Sequence, residues 1–490
     1  GNENIRFTSC RFVGMSTTST WDARTLIYGY STMVPNHDLR FNRCIFDKGS
    51  SGLYMYNNWN NNGTAYFITN CTFTDQYYIN LWLVYVNGCH ISNNQFFRAA
   101  TGASWGSNVL LSDNSGSCEI FNNVATTLCG GTGINMSWKS GDTNNLTRII
   151  NNFVSVTSPF YSCTALRLYY SNYVRVLHNS FFSETGTSSN YCVYTYYGTN
   201  LFFSSNSIFN KSPGRAWYCQ FSSGSPNVIH SNHNNIFTLG SNLAFWNANA
   251  ANLSALQALS GQDSTSKSAD PLHKSSTDLH ASSVDLNGGA DPTTGVMDDI
   301  DGEPRDSMRP DIGADEFKLP PHDAALLELK KFKADSTCVN VVLRNMGDDT
   351  LKSVTIAWTF QGVAQTPLSW TGALVSGDTT HVCVGTKAFK RDTAYHIKVW
   401  TSMPNGVADT INHNDTIEQT VYPALCGVYT IGGTAPDYPN FTAAVAALHK
   451  GGVLDSAKFR VRDSTYTEQL HIKEIECVEN KDQVIFESES

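Results

Sequence analysis

Residues 1–237 repeat a short pattern in which β-branched or aromatic residues alternate with polar ones. Each unit contains a frame of the type Ile-x-x-Asn-x-Phe, anchored at positions 10, 44, 71, 94, 123, 152, 179, 206 and about 232. The spacing averages about 28 residues, which is typical of solenoid repeats. Because no unit shows apolar residues at helical spacing, three short strands and three turns are expected in each. The pattern predicts a parallel β-helix.

The anchor residue of each unit is predicted to have a structural role. Asn tolerates left-handed backbone geometry better than most residues, so we expect the anchor to occupy a tight turn with positive φ. Stacked coils would place the Asn amides above one another, where they can hydrogen-bond along the stack. Cys10, Cys44 and Cys71 are expected to replace Asn on the same rung as small apolar residues.

The repeat ends after Phe237, and residues 238–317 are predicted to close the solenoid. A short helix with an Asn cap and a Gly stop is predicted from Asn252 to Gly261. Four elements follow in order: Ala269-Asp-Pro-Leu272, Ser283-Val-Asp-Leu-Asn-Gly288, Asp299-Ile-Asp-Gly-Glu-Pro-Arg305 and Asp311-Ile-Gly-Ala-Asp-Glu316. They resemble the C-terminal end of secreted, pectin-lyase-like β-helix domains of Bacteroidota. The resemblance implies a right-handed parallel β-helix with a C-terminal cap over residues 1–317.

The acidic part of this segment has two interpretations. Arg305 is expected to pair with Asp311 or Glu316 and so to fasten a cap over exposed strand edges. Calcium bound by Asp299 and Asp301 is the alternative, because carboxylates are hard oxygen ligands. The spacing does not fit an EF-hand loop, so the cap is the favoured interpretation.

Residues 318–422 are predicted to form a β-sandwich after a Lys-Leu-Pro-Pro linker. Strands are expected over 338–345, 354–360, 381–384 and 395–400, separated by Gly, Asp and Pro turns. The elements that resemble immunoglobulin-like CARDB spacer domains are Asn345-Met-Gly347, Trp358, Pro404-Asn-Gly406 and Asn414-Asp415. The resemblance implies spacing or adhesion. Cys338 and Cys383 are either a disulfide or two free thiols, and the states of Cys426 and Cys477 stay open.

Residues 423–490 begin a further domain. An amphipathic segment that starts at Asn440 predicts a helix ended by Gly451, and strands are expected over 459–461, 466–472 and 484–486. The order resembles the N-terminal cap and first coil of a second β-helix. A lone first coil cannot bury its apolar face, so we expect the 490 residues to belong to a longer chain.

Composition separates the two halves of the chain. Charged residues make up 15% of the chain, whereas about 25% is usual in soluble proteins. Residues 1–252 hold 13 basic, 9 acidic and 37 Asn residues, and residues 253–490 hold 20, 33 and 8. No run of 18 apolar residues predicts a membrane-spanning helix. No block of Lys and Arg indicates nucleic-acid binding.

The residues available for catalysis favour a protein that is not an enzyme. Polysaccharide lyases and hydrolases need paired carboxylates, whereas the nine acidic residues of 1–237 are scattered among units: Glu3, Asp22, Asp38, Asp47, Asp75, Asp113, Glu119, Asp142 and Glu184. Gly102-Ala-Ser-Trp-Gly106 matches a nucleophile motif without its strand–elbow–helix context, so we interpret it as a loop. His178, His230 and His233 are candidate metal ligands, but polar turn positions are the favoured interpretation.

Glycan binding is the favoured candidate chemistry. Aromatic residues cluster at Tyr54, Tyr56 and Trp59, at Tyr77 and Tyr78, at Tyr169, Tyr170 and Tyr173, and at Tyr194, Tyr196 and Tyr197. Exposed rings stack on sugar faces, and neighbouring amides bind hydroxyl groups. Because strand residues alternate between the two faces of a sheet, packing in the coil interior is the favoured interpretation for these rings.

Together these patterns predict a non-catalytic structural segment of a giant extracellular fibre, adhesin or attachment appendage of a bacterial cell surface. We assign no catalytic residue, no cofactor and no metal ligand. The expected partners are further domains of the same longer chain, copies of itself in a homo-oligomer or filament, and surface glycans. Nucleic acid and membrane insertion are not expected. The alternative is a polysaccharide-binding or polysaccharide-degrading β-helix, either a lyase or a hydrolase.

Overall fold

The computed structural model describes residues 3–20, 22–31, 35–58, 62–139, 141–188, 190–221, 229–476 and 483–489. Two compact units divide the chain, Gly1–Lys318 and Leu319–Ser490. Strands dominate both units, as the alternating pattern predicts. Among the described residues, no helix is long and apolar enough to cross a membrane. Trp59 and Cys477 lie outside the described residues.

The first unit is a parallel β-solenoid with three sheets, so the predicted three-strand coil is confirmed. Within the described residues the sheets contain nine, nine and ten strands. The first sheet consists of Arg6–Thr8, His37–Asn42, Gly63–Thr69, Val86–Ser92, Ser115–Phe121, Thr147–Ile150, Asn172–Leu177, Thr199–Ser204 and Ile229–Asn232. The second consists of Arg11–Val13, Ile45–Asp47, Thr72–Thr74, Gln95–Arg98, Val124–Thr127, Phe153–Ser158, Ser180–Thr185, Ser207–Asn210 and Asn235–Thr238. The third consists of Ile27–Tyr30, Ser51–Tyr56, Ile79–Val84, Ser107–Ser112, Gly131–Ser137, Cys163–Tyr169, Tyr191–Tyr196, Arg215–Gln220, Ala244–Trp246 and the antiparallel Asn249–Ala250.

An Asn ladder runs through the turn between the first and second sheets. The backbone N and the side-chain Nδ2 of Asn152 donate to Asn179 Oδ1 at 3.0 and 2.9 Å. The same paired contacts join successive members of the ladder, which are Asn94, Asn123, Asn152, Asn179, Asn206 and Asn234. Cys71 continues the rung, because its backbone N donates to Asn94 Oδ1 at 2.8 Å. The predicted amide stack and its Cys substitution are confirmed.

Two details of the anchor prediction are wrong. The ninth anchor is Asn234 and not Asn232, because Asn234 Oδ1 accepts the bonds from Asn206. The positive φ belongs to the residue before the anchor, as at Asn151 (51°) and His178 (49°). The chain therefore turns one residue earlier, and the anchor itself points its amide inward, where backbone carbonyls and the next amide satisfy it.

The end of the solenoid is closed by a helix and a strap. Helix α1, Leu253–Ser260, begins after the cap residue Asn252 and ends at Gly261, as predicted. Its buried Leu256 packs on the core of the last coil. The strap, residues 268–317, contains the 3₁₀ turn Pro292–Thr294 and lies along the outer face of the second sheet. There Phe153, Phe182 and Phe209 pack against Leu279 and Ala314.

Arg305 fastens this strap to the solenoid. Its guanidinium contacts Glu316 Oε2 at 3.2 Å, Gly313 O at 3.0 Å and Asn151 Oδ1 at 3.1 Å. The pairing with Glu316 is the one that forms, whereas Asp311 offers Arg305 its backbone carbonyl. The predicted cap over strand edges is thus only part of the observed role, because most of the segment covers the side of the solenoid.

The second unit begins with a sandwich of two antiparallel sheets. One contains Ala324–Leu329, Asp335–Asn345 and Thr379–Phe389, and the other contains Leu351–Phe360, Val363–Ala364, Leu368–Leu374, Tyr395–Ser402 and Thr416–Val421. The four predicted strands are confirmed, with longer bounds. Cys338 and Cys383 form a disulfide between neighbouring strands of the first of these sheets. The two sheets share one buried apolar core.

The remaining part of this unit is a three-stranded parallel sheet with one helix. Its strands are Leu425–Ile431, Val453–Val461 and Gln483–Ser488. Helix α2, Phe441–Gly451, starts after Asn440 as predicted and ends one residue later than predicted, before the Gly452 cap. The strand predicted over 466–472 is wrong, because that segment forms no strand. Whether this part starts a second β-helix stays a prediction.

Candidate functional site

Two columns of aromatic side chains cover the outer face of the third solenoid sheet. Inward residues such as Leu53 and Met55 fill the core, so the intervening Tyr54 and Tyr56 point outward. Parallel in-register pairing then stacks equivalent positions of successive coils. The first column runs through Tyr28, Tyr54, Trp82, Leu110, Asn135, Arg167, Tyr194, Tyr218 and Phe245. The second includes Tyr30, Tyr56, Tyr169 and Tyr196. We call these columns the aromatic face.

The N-terminal coils hold one group of stacked rings. The Tyr54 and Trp82 ring centroids are 4.1 Å apart with an angle of 13° between planes, and Tyr30 stacks on Tyr56 at 5.1 Å. Stacking buries Tyr54 but leaves 45% of Tyr28 and 57% of Tyr30 exposed. The exposed rings are therefore held in place by partners on the next coil.

The C-terminal coils hold a second group that includes a cation. The rings of Tyr194 and Tyr218 stack at 5.2 Å, and those of Tyr169 and Tyr196 also stack at 5.2 Å. The Arg167 guanidinium lies 4.6 Å from the ring centroid of Tyr169 and 5.7 Å from that of Tyr194. Cation–π contacts of this kind fix the direction of both the guanidinium and the rings.

Aromatic residues also occupy the turn that follows the third sheet. Trp138 and Tyr170 stack at 4.3 Å with 6° between their planes, and Tyr170 stacks on Tyr197 at 5.4 Å. All three have positive φ, which points equivalent side chains of successive coils the same way. Trp138 is 52% exposed. The aromatic face thus continues around the edge of the sheet.

Burial affects the ionisation of the phenols on this face. It raises the pKa of Tyr194 to about 12, although the nearby Arg167 charge opposes the rise. Burial also raises the pKa of Tyr218. These hydroxyl groups stay neutral at physiological pH and can both donate and accept hydrogen bonds. Rigid rings with neutral hydroxyls, amides and one guanidinium form a surface suited to sugar rings and their substituents.

The aromatic clusters predicted from sequence fall largely on this face. Tyr54, Tyr56, Tyr169, Tyr194 and Tyr196 point outward, so the favoured interpretation of interior packing is wrong for these strand residues. Tyr170 and Tyr197 lie in the turn that follows the third sheet, Tyr78 contacts Trp82 at its edge, and Tyr77 and Tyr173 are half-buried outside the two columns. Sequence reasoning missed Tyr28, Tyr30, Trp82, Trp138, Arg167, Tyr218 and Phe245. For the strand residues the available signal was alternation with inward-pointing residues at the coil period, as at Trp82, which lies between the buried Leu81 and Leu83.

In the part of the chain that the structure describes, four of the nine carboxylates of residues 1–237 pair with bases on the surface of the solenoid, namely Asp38, Asp47, Glu119 and Glu184. Asp47 contacts Arg11 at 3.1 Å, and Glu184 contacts Lys211 at 3.2 Å. Within the described residues, groups of three close His, Cys, Asp or Glu ligand atoms occur only after residue 279. His178, predicted with His230 and His233 as a candidate ligand, is buried and bonds Thr294 Oγ1 at 2.9 Å instead.

The motif Gly102–Gly106 forms the turn between two strands, so its interpretation as a loop is confirmed. Trp105 in this turn is 66% exposed. The connection joins Gln95–Arg98 to Ser107–Ser112 and contains no helix. A strand–elbow–helix arrangement, which gives the nucleophile motif its meaning, does not occur here.

Asp299 and Asp301, the two residues predicted as calcium ligands, make different contacts within the strap. Asp299 Oδ1 accepts from the backbone N of Asp301 and Glu303, and its Oδ2 accepts from Glu316 N. Asp301 contacts His280 Nε2 at 2.7 Å. Burial lowers the pKa of His280, but its hydrogen bonds to Asp278 and Asp301 prevail and raise it to about 9. The described contacts thus give both carboxylates partners within the chain.

The fold and the aromatic face define the class of this chain as an all-β protein dominated by a parallel β-solenoid. Comparisons with protein-family models, curated proteins and solved structures found no match for it. The resemblances to pectin-lyase-like, CARDB and Bacteroidota proteins therefore stay predictions.

Proposed function

We propose that this chain is a non-catalytic structural and adhesive part of an extracellular repeat protein of the bacterial cell surface. In this proposal the solenoid supplies a rigid rod, and the aromatic face binds polysaccharide. The single observation that carries it is the aromatic face, where stacked, partly exposed rings extend over successive coils.

The geometry of the face suits an extended ligand better than a small one. Neighbouring coils are about 4.8 Å apart, so a run of stacked rings is several sugar units long. The rings are open on the solvent side, as the exposure of Tyr30 and Trp138 indicates. The two ring groups are separated along the first column by Leu110 and Asn135, which suggests two contact regions for one chain of sugars.

A matched pair of aromatic variants tests the proposal. Tyr194 lies 5.7 Å from the Arg167 guanidinium on the third sheet, and Phe202 lies 5.8 Å from that of Arg175 on the first sheet. Binding of the full chain is measured on a glycan array and by co-sedimentation with pectin, alginate and chondroitin. We expect Tyr194→Ala to weaken retention at least tenfold and Phe202→Ala to change it less than twofold. Equal effects of the two variants, or no retention of the wild type, would contradict the proposal.

The second candidate, a polysaccharide-degrading enzyme, is favoured by one group on the first sheet. His90 Nδ1 lies 3.2 Å from Glu119 Oε2, and Arg148 Nη1 lies 3.1 Å from Glu119 Oε1. Phe67 and Phe121 flank the His90 ring. Release of reducing or unsaturated ends from any of the three polysaccharides, abolished by Glu119→Gln, would replace the adhesive proposal with this one.

Finer assignments belong to the same proposal. A right-handed course of the solenoid is supported by the strong preference of parallel crossover connections for that hand. An immunoglobulin-like role for the sandwich as a spacer is supported by its two antiparallel sheets. Its disulfide joins neighbouring strands of one sheet, however, whereas antibody domains join the two sheets. Secretion, further domains of a longer chain and self-association are tested by the full gene and by light scattering.

A further inference from the structure

Three carboxylates meet at one edge of the sandwich. Asp323 precedes the strand Ala324–Leu329, Asp409 lies in the loop after the 3₁₀ turn Pro404–Gly406, and Asp415 precedes the strand Thr416–Val421. One oxygen from each lies within 4.8 Å of the other two. Asp323 is 4% and Asp415 is 7% exposed, so two of the three negative charges are buried.

The hydrogen bonds around these carboxylates leave acceptors unused. Asp409 accepts from Ala324 N at 3.0 Å and from Ile411 N at 2.9 Å, and Asp323 Oδ1 accepts from Asn414 Nδ2 at 3.0 Å. Asp415 Oδ1 and Asn414 Oδ1 are both buried, and neither receives a hydrogen bond from a described group. A buried acceptor with no donor is rare in folded proteins, and a charged one is rarer.

Ion-pair partners are also missing at this edge. Within the described residues, no Lys, Arg or His forms an ion pair with any of the three carboxylates. Burial raises the pKa of Asp323 and of Asp415 to about 6 each, and the nearby charge of Asp409 adds to both rises. The three carboxylates therefore lie close together without an ion-pair partner among the described residues.

A cluster of acidic residues in the strap differs from this edge, because its carboxylates have partners. In the strap, His280 lies between Asp278 and Asp301 and supplies a positive charge when protonated. The buried Asp311 also has partners, because its two oxygens accept from Gly288 N and Phe317 N. At the edge of the sandwich, the oxygens of the three carboxylates have no comparable ion-pair partner among the described residues.

We propose that this edge binds one calcium ion through Asp323, Asp409 and Asp415, with Asn414 Oδ1 as a fourth oxygen donor. The donor set is entirely oxygen, which excludes the nitrogen and sulfur environment that zinc prefers. Calcium accepts irregular arrangements of six to eight oxygens and completes them with water, whereas magnesium demands a near-ideal octahedron. The ion would tie the first strand, the 407–415 loop and the last strand of the sandwich together.

Calcium binding to the full chain tests this proposal directly. After removal of divalent ions with EDTA and desalting, calcium chloride is titrated calorimetrically into the wild type and three variants. We expect Asp415→Asn to raise the Kd at least tenfold. Asp348→Asn, an exposed acid of the same sandwich, and Asp301→Asn, in the strap, should change it less than twofold. Magnesium chloride should bind at least tenfold more weakly than calcium chloride.

Thermal unfolding separates loss of the ion from loss of the fold. Without calcium, Asp415→Asn should unfold at a temperature equal to or above that of the wild type, because it removes one of three like charges. With calcium, only the wild type and the two control variants should gain stability. Absence of calcium binding to the wild type, unchanged binding to Asp415→Asn, or loss of binding in Asp301→Asn would each overturn the proposal.

Discussion

Replacement of Asn152 by Ala tests whether the Asn ladder holds the coils together. The Asn152 side chain donates to Ile120 O, Ile150 O and Asn179 Oδ1, each at 2.9 Å. It accepts from Asn123 N at 3.0 Å and from Asn123 Nδ2 at 2.9 Å. Asn152 is fully buried, so water cannot replace these partners without opening the turn.

The expected cost follows from these five contacts. A buried hydrogen bond contributes about 1 kcal/mol, and a buried group left without a partner costs about 1–3 kcal/mol. The Nδ2 group shares two hydrogens among three acceptors, so the five contacts count as about four bonds. We therefore expect Asn152→Ala to lower the free energy of unfolding of the solenoid by about 4 kcal/mol.

Asn152→Cys is an informative comparison, because the chain itself uses Cys on this rung. Cys71 Sγ accepts from Cys44 N at 3.4 Å and donates to Thr69 O at 3.3 Å. A thiol thus makes weaker versions of the amide contacts, and we expect it to cost about half as much as Ala. Asn144→Ala, in an exposed turn, is the matched surface control and should be nearly neutral.

The assay combines guanidinium unfolding with amide hydrogen exchange. Exchange resolves individual coils, so it detects local opening near residue 152 even if the whole chain does not unfold in one step. A loss below about 1 kcal/mol in Asn152→Ala, or a Cys variant no more stable than Ala, would refute the reasoning from the ladder.

Three further predictions concern the strap and the sandwich. Arg305→Leu should remove the ion-pair partner of the partly buried Glu316 and the donor to Gly313 O, cost about 3–5 kcal/mol and accelerate amide exchange in the strap; unchanged exchange would contradict this. The raised pKa of His280, about 9 in the fold and about 6.5 when unfolded, means that its stabilisation is complete below pH 6.5 and is lost as the pH rises through 9. After correction for the intrinsic pH dependence of exchange, amide protection in the strap should fall over that interval in the wild type but not in His280→Gln. Loss of the Cys338–Cys383 bridge, which spans 45 residues, should lower the free energy of unfolding of the sandwich by about 4 kcal/mol in a double Ser variant.

The solenoid was predictable from sequence because its interactions repeat. An Asn that recurs about every 28 residues can only be explained by a stack, so the ladder follows from spacing alone. The position of the positive φ could not be obtained in this way. Asn151 and Asn152 are adjacent and of the same type, and only the backbone shows which one turns and which one points inward.

The aromatic face illustrates a limit of the alternation rule. Tyr54 alternates with Leu53 and Met55, and all three are apolar enough to fill a core. A single strand therefore does not reveal which face is outside. The answer comes from the register of several coils. The Leu53 column stays apolar from coil to coil, with Trp217 near its end, whereas the Tyr54 column admits Asn135 and Arg167.

The strap was only partly predictable, because its contacts lie far apart in the sequence. Of the two partners predicted for Arg305, Asp311 and Glu316, the pair forms with Glu316, 11 residues away. Its bond to Asn151 joins residues 154 positions apart. A segment without periodicity gives no indication of the surface that it covers. The Phe residues on the outer face of the second sheet were the available signal, since exposed Phe at successive coils requires a cover.

The solenoid has two kinds of aromatic surface, one covered by the strap and one open to solvent. On the second sheet, the outward Phe182 and Phe209 are covered by the strap and are nearly inaccessible. On the third sheet, the outward rings stack on one another, and Tyr28, Tyr30 and the turn residue Trp138 stay about half exposed. The strap covers the aromatic side chains of the second sheet but leaves those of the third sheet partly exposed. Folding of the chain therefore does not require the exposed rings of the third sheet. This difference supports the proposal that the aromatic face binds a ligand, and its tyrosines are the first residues to mutate.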